Sequence, residues 1–435
     1  MSPLSSSFSL FLFFVLAITP FSQLFVPVDS RTHPGDVRVL EALKASIDPK
    51  SVHPGSCVSS WDFSVDPCDR IFSDRFTCGL LCDLAVSNYS RVTKIALDSA
   101  GYSGNLSSVP WDDDVLYLET LDVSYNSFAG SVPGSLAGLT SLRRLRLSRN
   151  SLSGQLPASL GSLAALEELS LDGNNFDGGI PSSFNRLASL KRLELQGNNL
   201  SGDLLSDLGS LKSLFFLDAS DNQFSGGVPA ALPPSLVELS LRNNRLRGDL
   251  PEIDRGATKL LQVLDLSRNE LSGAVPSALF EHPSLEQLTL SHNSFTSLHA
   301  PPLGGVNSRL VAVDLSYNNL RGLLPGFMAA MPTLSALSLE HNLFTGMIPS
   351  QYALRVRDAA LGRRGGGTTE IGRLLLGGNY LFGPIPGPLM GLRPGSANVS
   401  LVDNCLYRCP NEFFFCQGGD QKSPADCKSF SPIIP

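Results

Sequence analysis

Apolar residues recur along most of the chain in a fixed frame that ends at an asparagine. In each repeat the apolar side chains stand eight, five and three residues before that asparagine, as Leu142, Leu145 and Leu147 do before Asn150. The step from one asparagine to the next is about 24 residues. These ladder asparagines are Asn126, Asn150, Asn174, Asn198, Asn222, Asn244, Asn269, Asn293, Asn318, Asn342, Asn379 and Asn404.

The frame extends one repeat further toward the N-terminus. Val92, Ile95 and Leu97 occupy its apolar positions, and Ala100 stands where the asparagine would be. The pattern therefore predicts thirteen repeats, of which the last is incomplete. Because an alanine side chain makes no hydrogen bonds, we interpret Ala100 as a cap position with weaker demands.

The last two apolar positions of each frame have the spacing of a β-strand. Both side chains then point inward, and the residue between them faces solvent. One repeat cannot bury its leucines alone, but stacked repeats cover one another and form a continuous core. An asparagine side chain offers two donors and an acceptor, so it can bond backbone groups of neighbouring coils. We therefore predict a solenoid with one short strand from each repeat.

The segment from Leu166 to Leu187, LEELSLDGNNFDGGIPSSFNRL, resembles the plant-type leucine-rich repeat, and the resemblance extends over residues 92–404. It implies an α/β solenoid, a leucine-rich repeat superhelix with a parallel concave β-sheet of about 13 rungs and a smaller second sheet. The plant-type Gly-x-Ile-Pro step, with Val or Leu for Ile in most copies, is found at Gly130–Pro133, Gly154–Pro157, Gly178–Pro181, Gly248–Pro251, Gly273–Pro276 and Gly346–Pro349. The step lapses at Leu204-Leu205 and at Leu298-His299, so we expect the second sheet to be interrupted there.

The eight cysteines fall in two groups of four, outside the repeats. A solenoid exposes apolar core at both ends, and disulfide-stapled caps cover such ends. Pairing within each cap leaves three connectivities per end. A metal site is disfavoured because a secreted chain oxidises such pairs. We predict an N-terminal cap over 31–91, which contains Cys57, Cys68, Cys78 and Cys82, and a C-terminal cap over 405–435, which contains Cys405, Cys409, Cys416 and Cys427.

The first 30 residues have the pattern of a secretory signal peptide. An apolar run from Phe8 to Ile18 is followed by Pro20 and by a small residue, Ser30, before a possible cleavage site at Arg31. An uncleaved anchor is the alternative, which Pro20 disfavours. No later run of about 20 apolar residues is present. We expect a glycoprotein secreted to the extracellular space or cell wall, or held at the plasma membrane by a partner, with acceptor sequons at Asn88, Asn105, Asn199 and Asn398.

Charge and motif content exclude several function classes. The formal net charge is −7 and no long basic run occurs, which argues against nucleic acid and acidic phospholipid as partners. The six histidines lack paired ligand spacing, and no nucleophile, Walker or kinase motif is found. We therefore predict no catalytic residues, no metal site and no cofactor.

One repeat is longer than the others. The step from Asn342 to Asn379 is 37 residues, and its extra segment, about 351–370, contains Arg355, Arg357, Arg363, Arg364 and Gly365 to Gly367. Insertions within repeats map to loops, often on a functional face. Two interpretations follow: a partner-clamping segment similar to the islands of plant receptor ectodomains, or a flexible decoration. The triple glycine and low apolar content favour the second.

The concave face is formed by the residues six, four and two positions before each ladder asparagine. In the plainer interpretation Arg144, Glu168 and Arg192 form a surface ion ladder, because neighbours in a column lie about 5 Å apart. Phe216, however, is an aromatic residue on a solvent-facing surface beside charged groups, the composition of a binding hot spot. Our candidate ligand-binding residues are Arg144, Arg146, Glu168, Arg192, Glu194, Phe216, Asp218 and Arg242.

The resemblance implies a non-enzymatic extracellular recognition protein, similar to the ectodomains of plant receptor-like proteins and receptor kinases. Such a protein binds a peptide, glycan or protein partner on the repeat surface and acts with a membrane-spanning partner, for example a receptor kinase, in signalling or defence. The alternative is an inhibitor of cell-wall-degrading enzymes, in the manner of plant polygalacturonase inhibitors. The larger number of repeats and the acidic charge balance disfavour that alternative.

Overall fold

The fold is given by a computed structural model, which describes residues 31–435 except 112–114, 116, 206, 254, 361, 363–368, 432, 433 and 435. The predicted signal peptide lies outside the described residues. So do Arg363, Arg364 and Gly365 to Gly367 of the long repeat.

A 14-stranded sheet runs the length of the array. Its first two strands pair antiparallel, and all later neighbours pair parallel with the frame leucines in register, as Leu145 is with Leu169 and Leu193. Thirteen strands thus form the parallel part, which confirms the predicted number of repeats. The strands are Leu80–Val86, Tyr89–Ala96, Thr120–Asp122, Arg144–Arg146, Glu168–Ser170, Arg192–Glu194, Phe216–Asp218, Glu238–Ser240, Val263–Asp265, Gln287–Thr289, Ala312–Asp314, Ala336–Ser338, Arg373–Leu375 and Asn398–Ser400.

The ladder asparagines make the hydrogen bonds that the repeat requires. Asn174 Nδ2 donates to Leu171 O at 3.1 Å within its own coil and to Leu147 O at 2.9 Å in the preceding coil. Asn174 Oδ1 accepts from Leu152 N at 3.0 Å. Each asparagine therefore joins two coils, and it satisfies backbone groups that burial would otherwise leave unpaired.

A second set of strands follows the ladder asparagines and divides into three sheets. The first sheet consists of Ser103–Gly104, Ser127–Gly130, Ser151–Gln155, Asn175–Gly178, Asn199–Asp203 and Gln223–Ser225. The second consists of Arg247–Asp249, Glu270–Val275 and Ser294–Leu298, and the third of Arg321–Leu323, Leu343–Gly346, Tyr380–Gly383 and Cys405–Leu406.

Only one of the two predicted interruptions lies where we expected it. The break after Leu298 is confirmed, but the strand ending at Asp203 pairs normally with Gln223–Ser225. The prediction at Leu204-Leu205 was wrong because that strand has already ended before the leucines. The break follows one coil later, in the short step of 22 residues from Asn222 to Asn244. Even there, Arg247 N donates to Gly226 O at 2.8 Å, so the coils stay bonded.

Helical turns form the opposite side of the coils. The α-helices of the structure are Pro34–Ser46, Cys57–Ser60, Ser277–Phe280, Gly326–Ala330, Ser350–Ala360, Gly387–Met390 and Pro424–Phe430. The 3-10 turns are Pro49–Ser51, Cys68–Arg70, Leu106–Ser108, Gly134–Gly138, Ala158–Ser162, Ser182–Arg186, Leu208–Ser210 and Phe414–Cys416.

Disulfides close both caps, and pairing stays within each cap as predicted. The bonds are Cys57–Cys78, Cys68–Cys82, Cys405–Cys427 and Cys409–Cys416.

In the N-terminal cap a buried ion pair joins helix Pro34–Ser46 to the sheet, because Arg91 Nη2 lies 2.7 Å from Asp36 Oδ1. Asp36 Oδ2 also accepts from Val92 N at 2.8 Å, so both partners are hydrogen-bonded as buried charges must be.

Residues 350–360 of the long repeat form a packed helix and not a loop. Helix Ser350–Ala360, hereafter the insertion helix, buries Tyr352, Ala353 and Val356 in the core. Tyr352 Oη donates to Pro325 O at 2.7 Å, and burial raises the pKa of Tyr352. Arg355 is also buried and donates to Ala329 O at 3.2 Å and to Leu334 O. The interpretation of residues 351–360 as flexible decoration is therefore wrong, and Arg355 serves packing.

Candidate ligand-binding surface

The eight candidate residues lie on neighbouring strands of the concave sheet and in the turn after one of them. Parallel pairing sets Arg144, Glu168, Arg192, Phe216 and Glu238 side by side in one column. Since strands are spaced by about 4.8 Å, this column spans about 20 Å. Glu238 was not among the candidates, although it continues the same column.

The N-terminal part of the surface is an ion network centred on Glu168. Arg146 binds both carboxylate oxygens of Glu168, at 2.7 and 2.9 Å, and lies 3.6 Å from Asp122. These contacts, the hydrogen bonds to Glu168 first, raise the pKa of Arg146. Arg144 lies 3.9 Å from Glu168. Geometry of this bidentate kind leaves Arg146 and Glu168 well paired before any ligand arrives.

The predicted ladder of Arg144, Glu168 and Arg192 does not continue to its third member. Arg192 turns instead to Glu194, with Nη1 2.6 Å from Oε1. The guanidinium of Arg192 also stacks on Phe216, with its central carbon 3.8 Å from the ring centroid. Ser170 Oγ donates to the other oxygen of Glu194 at 2.7 Å. Arg192 therefore lies over the aromatic ring at the distance of a cation–π contact.

Two carboxyl groups, those of Asp218 and Glu238, lie beside Phe216. No ion pair within the described residues joins Asp218 or Glu238 to a lysine or arginine. Burial raises the pKa of Asp218, against the hydrogen bond that Ser220 N donates to its carboxylate at 2.9 Å. Burial also raises the pKa of Glu238, and the charge of Asp218 adds to that shift. Arg242 is exposed and likewise makes no ion pair with a described residue.

A second region of the concave sheet was missed by sequence reasoning. A shallow depression of about 200 Å³ lies over four successive strands, where Ala312 and Ala336 replace the longer side chains of the column and Arg373 stands at one end. Beside it, Tyr317 is stacked between His292 and His341, with ring centroids 4.2 and 4.3 Å apart. The signal was present in the sequence as small residues in one column and aromatic residues before three ladder asparagines.

One group of described residues brings three potential metal ligands within 4.8 Å, namely Cys57, Cys78 and Asp98. The two cysteines form a disulfide, and Asp98 accepts from Tyr102 Oη at 2.7 Å and from Cys57 N. These atoms are therefore engaged in the cap.

All four acceptor asparagines are exposed, but they lie on different faces. Asn88 is in the turn between the first two strands, and Asn398 begins the last strand of the concave sheet. Asn105 and Asn199 lie on the face of the second strands, in the N-terminal half.

Family models agree with this geometry. The model described as Leucine rich repeat matches residues 117–176, 234–295 and 284–344, and a second model of the same description matches residues 189–211. Among solved structures, the plant peptide hormone receptor RGFR1 in complex with RGF2 is similar at 29% identity and a TM-score of 0.61, over 70% of this chain and 46% of that one. This chain is a leucine-rich repeat protein similar to plant peptide hormone receptors.

Further solved structures share the leucine-rich repeat fold. A TDR receptor is 29% identical with a TM-score of 0.53, over 67% of this chain and 60% of that one. A plant ice-binding protein, at 20% identity and a TM-score of 0.52, covers 91% of this chain and 99% of its own and shows the fold alone. The present chain thus spans about half of the two receptor chains. No curated protein matches it.

Helices of membrane-spanning length and apolarity are not found among the described residues of this leucine-rich repeat protein.

Proposed function

We propose that the chain is a non-enzymatic, extracellular, receptor-like recognition protein that binds a peptide or protein on its concave sheet. In this proposal it acts with a membrane-spanning partner in signalling or defence. Support comes from the similarity to the plant peptide hormone receptor RGFR1, whose structure was solved in complex with RGF2.

The observation that carries the proposal is the patch of Arg192, Phe216, Asp218 and Glu238. The ring of Phe216 and the guanidinium above it offer a rigid apolar and cationic platform. The neighbouring carboxyl groups are partly desolvated and make no ion pair with a described residue, although the charge of Arg192 acts on Glu238. A bound basic group would therefore gain hydrogen bonds there. The patch suits a peptide segment in which an apolar side chain stands beside a basic one.

The test begins with the peptides that the secreted chain captures from plant extracellular fluid, identified by mass spectrometry and then synthesised. Affinity is measured by calorimetry for the unchanged chain and for the variant Arg192→Ala/Phe216→Ala. We expect a loss of at least about 10-fold, since aromatic and arginine anchors dominate binding energies.

Lys94→Ala is the matched control, because Lys94 occupies the same column of the sheet four strands before Arg192. The affinity of the Lys94→Ala variant for the peptide should stay within about twofold of that of the unchanged chain. Equal affinity of the double variant and the unchanged chain would exclude this patch as the binding site.

A further inference from the structure

One column of exposed side chains changes its character along the array. We call it the flank column: it comprises the residues five positions after each ladder position, on the face of the second strands. Its N-terminal members are polar or small, namely Asn105, Ser131, Gln155, Gly179, Asp203, Gly227, Asp249 and Ala274. Its next four members are apolar, namely Leu298, Leu323, Met347 and Pro384, and its last member is the disulfide-bonded Cys409.

Leu298 is partly buried against the core, whereas the next two of these apolar side chains are largely exposed. Leu323 is 73% exposed and Met347 is 64% exposed. Each lies over the glycine of the next coil: a Cβ built on Gly346 would stand 2.5 Å from Leu323 Cδ2, and one on Gly383 would stand 3.0 Å from Met347 Cγ. Gln155 takes the same position over Gly178, at 3.1 Å. The same backbone site therefore carries a polar side chain at one end of the array and an apolar one at the other.

Two depressions extend the apolar part of the flank column. One, of about 420 Å³, is lined chiefly by Leu298, Ala300, Leu323, Pro325, Phe327 and Phe344. The other, of about 270 Å³, is lined chiefly by Pro384, Ile385, Met390, Tyr407, Pro410 and Phe413. Tyr407 is 74% exposed and Met390 56% exposed. Exposed apolar groups that are contiguous over several coils mark an interaction surface rather than scattered surface residues.

The charges around this surface indicate what it binds. The charged residues that line the two depressions are Arg321 and Arg408, and the guanidinium of Arg408 lies 5.2 Å from the ring centroid of Tyr407. Self-association of two such surfaces would set cation against cation. The N-terminal part of the flank column on a second copy is also a poor partner for this surface, because its polar side chains cannot fill the apolar depressions.

The glycosylation sequons follow the same division. Asn105 is itself a member of the flank column, and Asn199 lies on a second strand nearby. Glycans at these two sites would shield the N-terminal half of this face from protein contact. The other two sequons, Asn88 and Asn398, lie in the N-terminal cap and on the concave sheet.

We infer that the C-terminal flank surface, formed by Leu323, Met347, Met390, Tyr407 and the two depressions, docks a second protein whose contact region has an apolar centre and an acidic rim. From the coil of Leu298 to that of Tyr407 the surface is about 20 Å long, which fits a standard interface of about 800 Å² on each partner. The inference deepens the proposed function, because it names a surface for the protein through which the chain would act.

Site-specific crosslinking tests the inference on the full secreted chain. A photoreactive amino acid is placed at Met347, at Gln155 of the same column, or at Ser240 on the concave sheet, and each protein is irradiated with plant membranes. We expect crosslinks at Met347 to one protein through a segment rich in Asp, Glu and apolar residues. We expect none to that protein at Gln155.

The purified partner then provides the affinity measurement. Leu323→Glu/Met347→Glu should weaken its Kd by at least about 30-fold, since charges enter an apolar contact and repel an acidic rim. Ser131→Glu/Gln155→Glu adds the same charge to the polar part of the column and should leave Kd within about twofold. Thermal unfolding of both double variants should match the unchanged chain, because the replaced side chains are exposed.

Several results would overturn the inference. They are crosslinks from Met347 to a second copy or to the same chain, equal crosslinking at Met347 and Gln155, and an unchanged Kd for Leu323→Glu/Met347→Glu. Failure of the proposed function is seen separately, as the absence of any peptide or protein crosslinked at Ser240.

Discussion

The coils near Asn174 and Asn379 have the same interior and different surfaces. Nδ2 of Asn379 donates to Leu376 O at 3.0 Å and to Leu339 O at 2.9 Å, which repeats the bonds of Asn174 almost exactly in length. Outside, the first coil has a charged concave face and a polar flank, whereas the second has an apolar flank and follows the insertion helix.

This difference shows that interior and exposed positions of the coils are constrained differently. The interior positions are fixed by stacking, because every coil must satisfy the same backbone groups and bury the same leucines. The exposed columns carry no such demand, so they are free to differ from end to end. A charged patch on the concave sheet and an apolar surface on the C-terminal flank can therefore serve two partners on one scaffold.

The largest effect is expected at the buried position three residues after the proline of a coil, which Tyr352 fills in the C-terminal half as Leu160 does in the N-terminal half. Tyr352→Ala should lower the free energy of unfolding by about 4 kcal/mol, because it removes a fully buried ring and the hydrogen bond to Pro325 O. Gln351→Ala, an exposed change on the same helix, is the control. Denaturant unfolding of the disulfide-intact chain measures both. A loss below about 1 kcal/mol would mean that the insertion helix is not part of the core.

A slightly smaller loss of unfolding free energy is expected when a ladder asparagine is replaced. The loss should be equal in the N-terminal and C-terminal halves of the array. Asn174→Ala and Asn379→Ala should each cost about 3 kcal/mol, because one acceptor and two donors are lost while the backbone groups stay buried. Asn175→Ala, at an exposed position, should cost less than about 0.5 kcal/mol. Hydrogen exchange of the flanking coils gives the local values. Unequal losses would show that the two interiors differ.

Replacing the tyrosine directly before a ladder asparagine should destabilise the C-terminal half more than the N-terminal half, by a smaller amount. Tyr317 is stacked between two histidines. The ring centroid of Tyr125 lies 5.5 Å from the guanidinium of Arg149, and no aromatic partner of Tyr125 is found among the described residues. Tyr317→Ala should therefore cost about 1 kcal/mol more than Tyr125→Ala, as expected for aromatic pairs. Thermal unfolding of the two variants under identical conditions makes this comparison. Equal losses would show that the stack adds no stability.

The smallest expected effect is a gain in stability, and it concerns Asp218 in the concave patch. Burial raises the pKa of Asp218 above its usual 3.8, so the folded chain takes up this proton at higher pH than the unfolded chain. The carboxyl group therefore favours the fold below pH 3.8, and that contribution is lost as pH rises through the raised pKa. Asp218→Asn should increase stability at pH 7 by less than about 1 kcal/mol. A decrease would mean that the carboxylate itself stabilises the patch.

Much of the fold follows from the sequence because the repeat is local. The frame of Leu166, Leu169 and Leu171 before Asn174 fixes strand, turn and inward face within one coil, and stacking multiplies that result thirteen times. The cysteine positions likewise set which residues can pair in each cap. The residues of the candidate patch were partly predictable, because the repeat frame shows which residues of each coil face the concave side.

Side-chain choices between neighbours were not predictable. Glu168 on the neighbouring strand and Glu194 two residues along the same strand are both within reach of Arg192. Only the structure shows that Arg146 binds Glu168, while Arg192 pairs with Glu194 and lies over Phe216. Tyr352 and Arg355 were assigned to a flexible insertion. Tyr352 stands three residues after Pro349, as Met328 does after Pro325, so the frame already indicated its burial, whereas only the structure shows how Arg355 packs.

The sequence by itself determined the number of coils, their strands and inward faces, and the grouping of cysteines into two caps, because each of these depends on residues close together in the chain. The tertiary structure decided which cation meets which carboxylate, how the long repeat packs, and that Leu323 and Met347 stay exposed over the glycines of the next coil. Those outcomes depend on contacts between coils about 24 residues or more apart, where several partners compete for the same space.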